Sequence, residues 1–113
     1  MFSENDLVTR SIEDMLLEVK DLTTESERLR VEYEESLRKE ESLRTESVEA
    51  RPENPDLAET LWLEAEQLRD DSRELLRLSV EKRLRAAEVQ RRINVRSQIE
   101  SFDNFDEIWK KNK

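Results

Sequence analysis

The sequence has no glycine, no cysteine and no histidine, and its only prolines are Pro52 and Pro55. Each absence closes off a kind of chemistry. A sandwich or barrel turns many tight corners with residues at positive φ, so a chain without glycine is poorly suited to one. Phosphate-cradling loops and dinucleotide-binding turns need glycine where the backbone nears its ligand, and they are excluded. Without histidine or cysteine there is no zinc site, thiol nucleophile, disulfide or imidazole triad. Aromatics make up 5% of the chain. No apolar run approaches the ~18 residues of a membrane span. Met1–Arg10 does not resemble a signal peptide, so the expected setting is cytoplasm or nucleus.

What remains is a chain of 113 residues and 13.6 kDa, enough for a single unit. Ala, Glu, Lys, Leu and Arg together make up 54% of it, the composition of coiled coils and long helices. Charged residues at 43%, a net charge of −9 and a mean hydropathy of −0.96 argue for disorder. Against that, Leu, Ile, Val and Phe make up 26%, and they are spaced periodically. That fraction lies above the roughly 20% below which chains stay unfolded. The expectation is therefore an all-α protein.

The helix-breaking residues cluster in Arg51-Pro52-Glu53-Asn54-Pro55-Asp56. A residue before proline avoids the α region, which ends the first helix near Ala50. Asn54 suits an N-cap and Pro55 the first helical position. Ser3 and Asp6 loosely resemble a capping box. Residues 1–113 thus read as one helical unit: a helix at 4–50, a turn at 51–54, a helix at 55–101 and a tail or short helix at 102–113.

Heptads organise both helices. In the first, Val8, Met15, Leu22, Leu29, Ser36 and Leu43 form one row, and Ile12, Val19, Ser26, Tyr33, Glu40 and Ser47 form the other. Leu37 and Val48 are displaced from these rows, which predicts a stutter near Ser36. In the second helix Leu61, Leu68, Leu75 and Val89 recur at sevens, interrupted by Lys82. Beside them runs a row of small residues, Ala58, Ala65, Ser72, Ser79 and Ala86, followed by Ile93. Small side chains in register predict a close helix contact.

Folding back at the turn makes residue i meet roughly residue 105 − i, as in an αα-hairpin. Tyr33 then faces Ser72, and Val19 faces Ala86. Seven basic residues within 77–99 would meet an acidic stretch at 8–27. Exposed pairs are individually worth ~0.2–1 kcal/mol, so they select orientation more than they stabilise. The predicted fold is an antiparallel helical hairpin or coiled coil. Its seam is Ile12, Met15, Val19, Leu22, Leu29, Tyr33, Leu61, Ala65, Leu68, Ser72, Leu75, Ala86, Val89 and Ile93.

Further large apolar residues fall off that seam: Leu16, Leu17, Val31 and Leu37 on the first helix, and Trp62, Leu63, Leu76, Leu78, Val80 and Leu84 on the second. Single exposed leucines need no explanation, but a recurring set implies further helices. The hairpin is therefore expected to join a larger hetero-oligomeric bundle with other helical protein chains, a homodimer being the less favoured option. Candidate partner-facing residues are Trp62, Leu76, Val80, Leu84, Phe102, Phe105, Ile108 and Trp109.

Carboxylate pairs such as Glu34-Glu35 and Asp70-Asp71 lack the walled pocket that acid–base catalysis needs, so no enzyme activity is expected. No cofactor, metal or small-molecule substrate is expected either. The arginines between 77 and 96 spread around the helix, which disfavours nucleic acid, and a membrane surface is disfavoured too. The tail interleaves Phe102, Phe105, Ile108 and Trp109 with acids, a composition suited to docking into a partner's groove or, equally, to packing onto the open end of the hairpin. In layout the chain is similar to small hairpin subunits of kinetochore, spindle or other cytoskeletal, and vesicle-trafficking complexes. The expected function is a non-enzymatic scaffold subunit. The alternative is a regulatory adaptor that docks through its tail.

Overall fold

The computed structural model describes the backbone of residues 10–111 and the side chains of 10–102 and Trp109. It is all-α: α1 runs Ile12–Ala50 and α2 runs Pro55–Lys111. The two pair antiparallel as a hairpin. No residue among those described has positive φ, so the turn is made without the conformation that glycine usually supplies.

Local chemistry sets the helix ends. Ser11 Oγ accepts from Asp14 N at 3.0 Å, and Ser11 O accepts from Met15 N at 3.1 Å. Ser11 is therefore the N-cap of α1, with Glu13 and Asp14 in the first turn against the helix dipole. A start near residue 4 was expected; Arg10 and Ser11 are not helical, and Ser3, Asp6 and Val8 lie outside the described residues. At the turn, Asn54 N donates to Ala50 O at 2.7 Å. Asn54 Oδ1 caps α2 by accepting from Leu57 N at 3.2 Å. The second helix was expected to end at 101, yet it continues to Lys111. Neither glycine nor proline follows Pro55, so nothing in the sequence stops it.

The chain divides into two compact units. A turn unit comprises Thr24–Lys82, and a terminal unit comprises Met1–Thr23 with Arg83–Lys113. In the terminal unit Met15, Val89 and Ile93 form a buried cluster with Ile12 and Val19 packed on it. Leu22 and Ala86 are buried in the same unit. In the turn unit the buried residues are Ser26, Leu29 and Ser47 of α1 and Ala58, Ala65, Ser72 and Ser79 of α2.

Three serine contacts bridge the helices of the turn unit. Ser26 Oγ donates to Ser79 O at 3.0 Å, and Ser79 Oγ donates to Ser26 O at 3.1 Å. Ser72 Oγ lies 2.7 Å from Ser36 Oγ. Ser47 Oγ donates to Ala58 O at 2.6 Å. A serine hydroxyl is short, so reaching a carbonyl of the other helix requires backbones at the close end of the ~8–10 Å packing range. The small-residue row of α2 makes that approach possible, and Ala65 is 0% exposed.

The stutter expected near Ser36 does not occur. Tyr33, Ser36, Glu40 and Leu43 stay half-buried and Ser47 is buried, so the 3–4 spacing of α1 holds through Ala50. Leu37 and Val48, whose displacement suggested the stutter, are 37% and 63% exposed. Serines bonded across the interface keep the register that their polarity seemed to break. Glu40 is tolerated there because Arg44 Nη2 neutralises it at 2.9 Å.

Candidate protein-interaction surface

The surface that could recognise another molecule is what the seam leaves uncovered. Of the expected seam, Met15, Leu22, Leu29, Ala65, Ser72, Ala86, Val89 and Ile93 are buried, and Ile12, Val19, Tyr33, Leu61, Leu68 and Leu75 are half-buried. The half-buried leucines of α2 are shielded on one side only, because the row beside them is small.

Outside the seam, Trp62, Leu63, Leu76 and Val80 are exposed in the turn unit, as are Val31, Leu37, Val48 and Leu57. Leu78, grouped with them by sequence, is half-buried instead. In the terminal unit Leu84 is 66% exposed, with Leu16, Leu17, Val95 and Ile99 also open.

Trp62 is exposed on one side and engaged on the other. The Arg44 guanidinium lies 4.4 Å from its ring centroid, and its Nε1 donates to Glu66 Oε1 at 3.1 Å. A cation over an aromatic face is favourable, and the stack ties α1 to α2 within the turn unit. Both partners immediately follow a leucine of the heptad rows, Leu43 and Leu61. That spacing was the available signal for the stack.

At the C-terminal end of α2 the exposed residues form a row. Val95, Phe102 and Trp109 are spaced by sevens, with Ile99 between the first two, so they share one face of the helix. Phe102 is 72% exposed. The side chains of Phe105 and Ile108, expected on the same surface, lie outside the described residues. Val95 and Ile99 were missed as members of this row because the helix was expected to end at 101.

Electrostatics are local. In the terminal unit Glu18 is bracketed by Arg85 at 3.5 Å and Arg10 at 2.5 Å, and the latter contact lies off hydrogen-bond geometry. Arg96 Nη1 donates to the Arg10 carbonyl. In the turn unit Lys82 reaches Glu25 across the pair at 4.0 Å. The other ion pairs among the described residues lie within one helix, as those of Arg77 with Glu74 and Glu81 and of Arg92 with Glu88 do. The charge match expected between the arms thus engages few side chains. The hydrogen bond from Arg77 holds the Glu74 carboxyl below its ordinary value of 4.5 and raises Arg77 in turn.

Among the described residues no group of three acidic side chains is placed to hold a metal ion. No helix among them is long and apolar enough to cross a membrane. Compared with known protein families, curated proteins and solved structures, the chain finds no match in any of the three.

Proposed function

We propose that this chain is a non-enzymatic assembly subunit that holds helices of other protein chains in register against its hairpin. The observation that supports the reading is the balance of apolar side chains: 15 large hydrophobics are exposed among the described residues, against eight buried hydrophobics. Fully burying a Leu-sized side chain is worth about 1.5–3 kcal/mol, so covering even part of this set would drive association. The cytoplasm or nucleus is the compartment this reading assumes, and complexes of the kinetochore, cytoskeletal or vesicle-trafficking kind are the proposed setting. The test is sedimentation and thermal melting of the chain alone. A subunit of this kind self-associates or melts at low temperature without its partner, whereas a stable, strictly monomeric hairpin would contradict the proposal.

A second reading rests on the row of Val95, Ile99, Phe102 and Trp109. It casts the chain as an adaptor whose α2 end docks on a regulated partner, with the hairpin as a spacer. That reading requires the isolated chain to be a well-folded monomer, so the same measurement separates the two.

A further inference from the structure

We infer that one edge of the turn unit is a docking site for an acidic amphipathic helix of a partner chain. The edge consists of Arg30, Leu37 and Arg44 on α1 and Trp62, Arg69 and Leu76 on α2. This deepens the assembly reading above and rests on it.

The six positions are a single geometric set. Each immediately follows a residue of the row that begins Met15 on α1 or Leu61 on α2, at seven-residue spacing. In an antiparallel pair these two rows line the same side of the seam. The Arg44–Trp62 stack at 4.4 Å shows the two meeting there. By the register of Ser36 with Leu68 and Ser26 with Ser79, Leu37 lies level with Arg69, and Arg30 lies near Leu76. Each height of the edge therefore carries one arginine and one apolar side chain.

That composition stands against its surroundings. The turn unit holds 18 acidic and 10 basic residues, a net of −8. Yet no acid occupies any of these six positions. The opposite edge of the seam, by the same spacing, carries Glu25, Glu32, Glu46, Glu64 and Asp71 with only Lys39 as a base. Charge is thus segregated by edge within one unit. Leu37, Trp62 and Leu76 are 37%, 38% and 41% exposed, shielded by the neighbouring helix but open on the outward side. A third helix lying in this groove would cover all three.

The arginines are available to such a helix. Arg69 makes no ion pair among the described residues. Arg30 is held only by Glu34 at 3.6 Å, with both side chains more than half exposed, a pair that water and other carboxylates exchange readily. Arg44 is fixed by Glu40 and by the tryptophan face, which orients its remaining donors. Carboxylates flanking the apolar stripe of an incoming helix would make charge-assisted hydrogen bonds here, and lysines in their place would meet three guanidiniums. The unit's overall negative charge does not reverse this preference. At physiological ionic strength screening acts over about 8 Å, and the acidic edge lies across the helix pair.

The test uses the full chain with Trp109→Phe, so that Trp62 is the sole tryptophan and can be excited at the red edge, where Tyr33 does not absorb. The probes are a synthetic amphipathic helix with a leucine stripe flanked by glutamates and its twin flanked by lysines. The glutamate-flanked probe is expected to shift Trp62 emission and to bind at least about tenfold more tightly than its twin. The preference should weaken with added salt and be lost in Arg30→Glu/Arg69→Glu. It should persist in Arg38→Glu, which lies off the edge, with helicity by circular dichroism equal in all variants. Equal or tighter binding of the lysine twin would overturn the assignment, as would a preference that survives the double reversal. Self-association abolished by the same reversal would place a second copy on the edge and overturn it too. If neither probe binds, this edge is not the docking site, while the assembly reading still stands or falls on its own sedimentation test.

Discussion

In the terminal unit the helices meet through Ile12, Met15, Val19 and Leu22 against Ala86, Val89 and Ile93, a seam of ordinary hydrophobic character. In the turn unit the same heptad frame is filled by Ser26, Ser36 and Ser47 against Ala58, Ala65, Ser72 and Ser79, with Leu29 buried and Leu43, Leu61, Leu68 and Leu75 half-buried alongside. The comparison separates two things that a heptad usually delivers together. Burial of large apolar side chains is most complete in the terminal unit, where Met15, Leu22, Val89 and Ile93 are buried, against Leu29 in the turn unit. Register in the turn unit follows from hydroxyls that bond only when the opposing carbonyl is at the right height. A net hydrogen bond contributes about 0.5–1.5 kcal/mol, less than a buried isoleucine, but it is directional. The leucine and tryptophan flanks of the turn unit, and not its seam, hold the apolar surface left for other helices.

The largest expected effect lies in the hydrophobic cluster. Ile93→Ala should cost about 2–5 kcal/mol, seen as a lower melting temperature, because it leaves a cavity beside Met15 and Val89. The close contact of the turn unit should resist bulk instead of its loss. Ala65→Leu should cost about 1–3 kcal/mol by overpacking a site with no exposed surface. If Ala65→Leu melts at or above the parent, the small-residue row is not a close contact, and the contrast between the units collapses.

Serine substitutions sharpen the contrast further. Ser79→Ala should cost about 0.5–1.5 kcal/mol, and adding Ser26→Ala should cost about as much again, because each hydroxyl donates to a backbone carbonyl that the other substitution leaves in place. A double variant no less stable than either single one would mean that the two bonds form only together.

The smallest effect is electrostatic. Glu74 has a lowered pKa, so its contribution to stability is present above 4.5 and fades as pH falls through the lower folded value. Glu74→Gln should thus narrow the stability difference between neutral and acid pH slightly, with the two proteins converging well below pH 4.5 in acid melts.

Much of this fold was legible in the sequence. The proline pair marked the turn, sevens marked the seam, and the row Ala58–Ala65–Ser72–Ser79–Ala86 marked the close approach. The rest was not, for physical reasons. Leu37 and Val48 suggested a stutter because pattern reading weights hydrophobicity, whereas the bonded hydroxyls of Ser36 and Ser47 hold the register. Ser3/Asp6 and Ser11/Asp14 offer the same capping pattern, and spacing alone could not choose the residue that starts α1. Arg44 and Trp62 each follow a heptad leucine, but their stacking itself needed the distance between two helices. Residues 102–111 differ in composition from the helix before them, but composition does not end a helix when no breaker is present.

The central claim is that the uncovered apolar surface belongs against other chains. The direct measurement is photo-cross-linking in the native cell from a reactive leucine analogue at position 63 in the turn unit or 84 in the terminal unit, read by mass spectrometry. Both leucines are exposed. The account predicts adducts to helical segments of a different protein chain from at least one position. Recovery of the chain without protein adducts from both positions, under conditions in which it remains folded, would contradict it.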